Sequence, residues 1–405
     1  MDKTLQILDI TSTTVNLELY NITAINRNND PYWVEFIAPY FKEIDVDIVV
    51  LPLTKIDKNK KWLINVDINS WNWESHSGNI FKDFHPDILN ELLHGNAYII
   101  LNHQCESFTN SFLTTLYAKI KNIIPACKVI YMVAAADIER IHDNFIVQHN
   151  INDPITVWYT HHVYKRFNHD VDLSFFSYVP MQKTKKYLSL NRRGRDHRVM
   201  LTSLLSYKNL LGYGFVSLGI MPEESDAALQ RLSNIEMREG FLKFKNQLPL
   251  QIDMIDLSIN QFQANSLPIE FYQQSCFSLV SSTMALLSDE ESVGFTEKEV
   301  KPILARHPFI IFNRPGVLKY MQNMGFLTFE PWFDESYDKE HDDIVRLEKI
   351  VNEVERLCKL SFAEWDIILD NMKPVLDHNY NRMANYTNEH CYFNSDLKKI
   401  LYYAE

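Results

Sequence analysis

Glycine is scarce in this chain, with ten in 405 residues, where about 7% is usual. Two phosphate-binding devices that depend on it are missing. No Gly-x-Gly-x-x-Gly follows an apolar strand, and no Gly-x-x-x-x-Gly-Lys-Ser/Thr occurs, which excludes a classical dinucleotide fingerprint and a P-loop. Also absent are His-Glu-x-x-His, the zinc-protease helix, and Gly-x-Ser-x-Gly, the hydrolase elbow. Cysteine is equally sparse. Cys105, Cys127, Cys276, Cys358 and Cys391 are scattered, odd in number and never spaced Cys-x-x-Cys. That usage fits neither a disulfide framework nor a structural zinc, so a reduced, cytoplasmic protein is expected. The start, Met1 to Ile10, lacks the basic and apolar stretches of a signal peptide. No apolar run approaches the ~20 residues of a membrane span, so no membrane partner is expected. Positive charge is short too: 40 Lys and Arg against 52 Asp and Glu, a net of -12. Such a chain does not coat polyanions without selectivity.

What the chain has is aromatic mass, with 24 Phe, 20 Tyr and 7 Trp. It also has short apolar, β-rich runs alternating with amphipathic stretches. That alternation predicts α/β layers around parallel sheets. Strands are expected at 4–10, 47–53, 97–101, 129–133 and 155–159, with helices at 32–41, 86–93 and 108–123 between them. The pattern restarts after the polar stretch ending near residue 182. Strands follow at 187–190, 215–218, 276–280, 309–312 and 326–329, with helices at 197–210 and 342–359 and an irregular insertion at 222–265. Two facing doubly wound lobes result: 1–182, then 183–380, with a C-terminal helix at 381–405 that packs back on the first lobe. In such folds ligands bind beyond the carboxyl ends of the strands.

Two segments carry chemistry suited to that location. Thr296 reads as a helix N-cap, followed by Glu297, Lys298 and Lys301. A helix N-terminus with a nearby lysine suits a diphosphate, and a carboxylate there can accept ribose hydroxyls. The plainer reading is a solvated first turn with a capping carboxylate. The stretch 183–198 holds seven Lys or Arg (183, 185, 186, 192, 193, 195, 198) against one acid, Asp196. Its apolar centre is a strand, which sets Asn191, Arg192 and Arg193 at the strand's carboxyl end. Arginine's fork matches diphosphate oxygens, and strand-end geometry favours Arg192 and Arg193 over Arg195 and Arg198.

The run Phe295-Thr296-Glu297-Lys298, with Cys276–Ser282 before it and Lys301-Pro302-Ile303, His307–Ile311, Gly325–Phe329 and Trp332–Asp338 after it, resembles a known family. It is similar to the donor-binding segment of glycosyltransferases, many of them phage-encoded, that are related to the family 10 fucosyltransferases. The resemblance covers roughly residues 186–350. It implies two Rossmann-like lobes in the GT-B arrangement, with a nucleotide-diphosphate sugar as donor and no cofactor; the lack of a well-placed Asp-x-Asp, together with the arginine cluster, predicts that no metal is needed. On it rest Lys298 and an arginine of the strand-end element as phosphate ligands, and Glu297 as the ribose grip. One position departs: Ser282 stands where the family strand ends in Glu. The family also carries a Glu-Ser-Pro element that bears the suspected general base, and Glu106-Ser107 matches two of its three residues.

The loop after the strand at 97–101 holds that Glu106 as candidate base, and His103 as the alternative. His161, His162 and Trp73 are candidate acceptor contacts. Asp45-Val-Asp47 and Asp170-Val-Asp172 are poorly placed for a metal. The expected function is sugar transfer with inversion to a glycan or to a hydroxymethylated base in phage DNA. The competing class is a non-catalytic sugar-nucleotide or nucleic-acid binding protein with the same fold. Residues 1–182 carry 14 Lys and Arg against 21 Asp and Glu, which argues mildly against a duplex on that lobe.

Overall fold

The computed structural model describes residues 4–9, 47–50, 58–59, 62–67, 81, 84, 86–103, 110–133, 135, 138–159, 182–252, 268–283, 285–286 and 296–389. Described residues through Tyr159 belong to one compact unit and those from Gln182 to Thr387 to a second. The expected boundary at 182/183 adjoins residues 160–181, outside the described residues.

The first unit is a six-stranded, wholly parallel sheet in the order β2-β1-β3-β4-β5-β6. Its strands are β1 (Thr4–Asp9), β2 (Asp47–Val50), β3 (Trp62–Asp67), β4 (Ala97–His103), β5 (Val129–Val133) and β6 (Thr156–Tyr159). Helices α1 (Pro86–His94), α2 (Asn110–Ile120) and α3 (Ile138–His149) alternate with them. All five residues of β5 are buried, as a parallel strand covered on both faces requires. Val129, Tyr131 and Val133 pack with Ile99, Leu101, Phe112, Leu116 and Ile138 in one core. Each such side chain contributes about 1.5–3 kcal/mol by leaving water. Strand β3 carries no expectation above. Its six residues sit among lysines and asparagines, and its fit between β1 and β4 is a tertiary property.

The second unit is a four-stranded parallel sheet in the order β10-β9-β7-β8. Its strands are β7 (Lys185–Asn191), β8 (Gly214–Leu218), β9 (Ser275–Ser281) and β10 (Phe309–Phe312). Between them run α4 (Asp196–Tyr207), α5 (Ser225–Arg231), α6 (Ile235–Phe244), α7 (Ile269–Gln274) and α8 (Glu297–Leu304). After β10 come α9 (Val317–Asn323), α10 (Asp343–Lys359) and α11 (Phe362–Glu389). The chain is thus α/β, with two Rossmann-like units, as expected. Strand order reverses direction at β7: the chain passes from β7 to β8 on one side and then crosses back to β9 on the other. That reversal is the switch point at which open α/β sheets hold ligands.

Two expectations are corrected. Residues 222–265 are not an irregular insertion throughout, since α5 and α6 form within them. Helix α6 packs directly on α4, where a Cβ on Gly240 would stand 1.9 Å from the Ser203 carbonyl oxygen. Residues 326–329 are not a strand. Phe326 and Phe329 are buried, but Asn379 takes the place of a neighbouring strand. Its Oδ1 accepts the Leu327 N–H at 2.8 Å and its amide donates to the Leu327 carbonyl at 2.8 Å. The expected division at 380/381 falls inside α11. No described helix is long and apolar enough to cross a membrane.

Candidate functional site

Strand β7 ends at Asn191, and the chain turns through Arg192–Arg195 into α4. The turn is tied to the end of β8: Gly219 N–H donates to the Asn191 carbonyl at 2.9 Å and Gly194 N–H to the Gly219 carbonyl at 3.0 Å. A Cβ on Gly219 would stand 1.8 Å from the Arg192 carbonyl oxygen. One of the chain's few glycines is therefore used where backbone meets backbone.

Helix α4 is then fastened across the switch point to the end of β9. His197, buried, donates from Nε2 to the Ser282 carbonyl at 2.7 Å, and Arg195 Nη1 to the Thr283 carbonyl at 3.3 Å. Burial, reinforced by Arg198, lowers the His197 pKa to about 3, so the ring is a neutral tie. Ser282, at the position where the resembled family has Glu, is fully buried, and its carbonyl is the anchor for His197.

The residue after that histidine is a buried cation with few acceptors. Arg198 is 3% exposed. Its Nη1 donates to the Arg193 carbonyl at 3.2 Å, while its Nε has no protein partner. Burial, with Arg195 next, lowers its pKa to about 10. Arg346, 1% exposed, shows what a structural arginine looks like in the same unit. Its guanidinium donates to the carbonyls of Asn313, Glu340 and Ala285 at 3.0, 3.0 and 2.7 Å, and pairs with Asp343. Burying a guanidinium with so few acceptors is costly. An anion at Arg198 would remove that cost. Two more buried polar atoms stand unpaired at the same strand ends, Asn191 Oδ1 and Ser281 Oγ. The β7–β9 register, Leu188 beside Ser278, carried forward sets Asn191 across from Ser281.

Helix α8 supplies the other wall. Thr296 is its N-cap, with Oγ1 accepting the Lys298 N–H at 3.3 Å. Glu299 closes the capping box, accepting the Thr296 N–H at 2.7 Å and hydroxyl at 2.6 Å. The capping carboxylate is thus Glu299, fully buried, and burial raises its pKa against the hydrogen bonds it receives. Lys298 Nζ donates to Thr283 Oγ1 at 3.2 Å and pairs with Glu297. Burial works to raise the Glu297 pKa, but Lys298 and Lys301 outweigh it and hold it below the ordinary value. Lys301 is pushed down to about 8, first by burial, with Glu297 opposing. Arg193, Arg195, Arg198, Lys298 and Lys301 therefore stand against Glu297 and Glu299 at one end of one sheet.

The structure places Asn191, Arg193, Arg195, Thr296, Glu297, Lys298 and Lys301 at that end of the sheet. Arg192 contributes through its backbone, against Gly219. Arg193 is exposed, and Arg198, ranked behind it from sequence, is the buried guanidinium. The signal was its place in the first turn of the helix leaving β7; what hid it was its distance from the strand end. His103 lies in the first unit at the end of β4, buried, with Nδ1 2.7 Å from the Tyr131 hydroxyl and its ring stacked on Phe112 at 4.9 Å. That is how a structural histidine is held. Glu106, His161, His162 and Trp73 lie outside the described residues. Among the described residues, no group of three or more His, Cys, Asp or Glu is placed to hold a metal ion.

No family model matches the chain, and no curated protein matches it. Two solved structures are similar to it. One is a trehalose-6-phosphate synthase, OtsA, at 10% identity and a TM-score of 0.41, covering 92% of this chain and 82% of that one. The other is an alpha,alpha-trehalose-phosphate synthase (UDP-forming) from Burkholderia vietnamiensis, at 9% identity and a TM-score of 0.39, covering 92% and 85%.

Proposed function

We propose that this chain is a glycosyltransferase of the GT-B type, moving a sugar from a nucleotide-diphosphate donor to an acceptor hydroxyl with inversion and without a metal. The observation that carries this reading is Arg198, a buried guanidinium short of acceptors at the switch point of a parallel sheet. The resemblance of Phe295–Lys298 and its downstream segments to donor-binding elements supports it, as does the crowding of four further cations around Arg198.

In this reading the cations bind the donor diphosphate and meet the charge that develops as it departs. Arg198, Arg195 and Lys298 are fixed before the reaction, by His197, Thr283 and the two strand ends, so little reorganisation opposes their effect. Thr296 and Glu299 hold the start of α8 in place. Glu106 takes the acceptor proton, with His103 as the alternative base. A glycan is the favoured acceptor over duplex DNA. Lys183, Lys185 and Lys186 donate to the main-chain carbonyls of Gln273, Gly212 and Leu360 at the amino end of the sheet. The basic stretch 183–198 is therefore two separate clusters and offers no continuous track for a phosphate backbone.

A thermal-unfolding series against nucleoside diphosphates and their sugars tests the reading. A true ligand at one hundred times its Kd adds about 2.7 kcal/mol of stability. Donor hydrolysis should accompany binding and persist in excess EDTA. Absence of any nucleotide-dependent shift sinks the donor site. Binding without hydrolysis or transfer leaves the non-catalytic binding protein instead.

A further inference from the structure

Glu297 is out of place in an anion site. A carboxylate beside a phosphate repels it, yet this one sits among the cations rather than apart from them. Its Oε1 pairs with Lys298 Nζ, and its charge acts on both Arg198 and Lys301. Neighbouring residues on a helix do not face each other by default. The contact exists because Lys298 is turned back over the first turn of α8 while also holding Thr283 Oγ1 at 3.2 Å. Glu299, the other carboxylate, is committed to the Thr296 cap and receives Asn313 Nδ2 at 3.4 Å. Glu297 has no comparable tie to the cap: its carboxylate meets Lys298, and its side chain keeps 29% exposure.

We propose that Glu297 is a resident counter-ion, an internal carboxylate that holds the place at Lys298 which a ligand phosphate takes. The inference rests on the anion-site reading and adds to it a charge threshold. A ligand must exchange the Glu297–Lys298 contact for its own, and the displaced carboxylate turns to the solvent it already touches. Multiply charged phosphates, which also engage Arg198, complete the exchange. A singly charged anion gains little over the carboxylate it replaces. Glu297 is on this account a specificity-determining residue that excludes weak anions from the site.

The ribose grip implied by the family resemblance makes the opposite forecast for the same substitution. Calorimetry with inorganic pyrophosphate, and with a ribonucleoside diphosphate beside its 2′,3′-dideoxy counterpart, separates the two. Glu297→Gln should bind pyrophosphate about tenfold more tightly than wild type, the effect of removing one like charge at close range. Orthophosphate at neutral pH should gain as well, and the ribo-to-dideoxy affinity ratio should stay as in wild type. Glu297→Asp, which keeps the charge on a shorter arm, should fall between the two. Unchanged or weaker pyrophosphate binding by Glu297→Gln, or a ribo-to-dideoxy ratio that collapses, overturns the inference. Pyrophosphate that binds none of these proteins, or binds wild type and Arg198→Met alike, overturns the anion site itself.

Discussion

The two ends of β7 began as one basic stretch and came to opposite fates. At the amino end, Lys183, Lys185 and Lys186 each spend their ammonium on a main-chain carbonyl, and Lys186 also lies 3.5 Å over the Phe362 ring. At the carboxyl end, about 20 Å away along seven residues of strand, Arg198 is buried with one carbonyl for its five donors. The amino end is a finished structural join. The carboxyl end is finished only around its rim, by His197, Arg195 and Lys298, and is left unsatisfied at its centre. Strand direction decides this. Helices leave the carboxyl ends of parallel strands by their positive ends, so the groups facing a cation there are mostly helix N–H groups and few carbonyls are left for it.

The largest test of that contrast is Arg198→Met. Pyrophosphate affinity should fall about 100-fold, which is about 2.7 kcal/mol and within the range for losing a charge-assisted pair. Stability without ligand should stay level or rise, because an apolar side chain of similar length replaces a poorly satisfied buried charge. Calorimetry and urea unfolding of the same preparation check both halves. A variant that binds as wild type does, or that loses stability as heavily as affinity, would make Arg198 another structural arginine like Arg346.

Lys186→Met at the other end should show the reverse. Stability should fall by about 1–2 kcal/mol, from loss of the hydrogen bond to Leu360 and the contact with the Phe362 ring. Pyrophosphate affinity should not change. A loss of affinity would mean that the two ends communicate through β7 and are not independent.

Much of the fold was legible because its signal is local. Val129–Val133 and Phe309–Phe312 are short, wholly apolar runs, and both appear as strands with the expected bounds. Residues 326–329 look similar in sequence but lack a strand neighbour, and Asn379, some fifty residues on, satisfies the Leu327 backbone instead. Such long-range substitutions carry no periodicity to read. At the site, residue types at the strand end and helix cap were legible, and Glu299 as the capping partner follows the N3 rule. The ranking of the arginines was not. Which of four guanidinium groups is buried depends on how α4 is drawn against β9 by His197, and adjacency to the strand favours the exposed Arg193 instead.

The smallest effect separates the ends by pH. Lys301 has its folded pKa lowered to about 8, first by burial, against 10.5 for an ordinary lysine. Between those values the unfolded chain binds more protons than the folded one, so stability should rise with pH through that window. Below pH 8 the charged ammonium sits in the folded site and its desolvation cost is carried in full. Anion affinity should move the other way, since loss of the Lys301 charge removes one attraction among several. Sulfate is the right probe, because its own charge is constant there. Its binding should weaken roughly two- to threefold from pH 7 to pH 9.5, a modest change because Lys301 is one cation among several. Lys301→Arg, charged throughout, should bind sulfate with the same affinity at both values. The groups facing Lys301 are Glu297 and Lys298, and Glu297 stays ionised across the range. A decline that survives in Lys301→Arg would assign the titration to Arg198, which burial lowers to about 10.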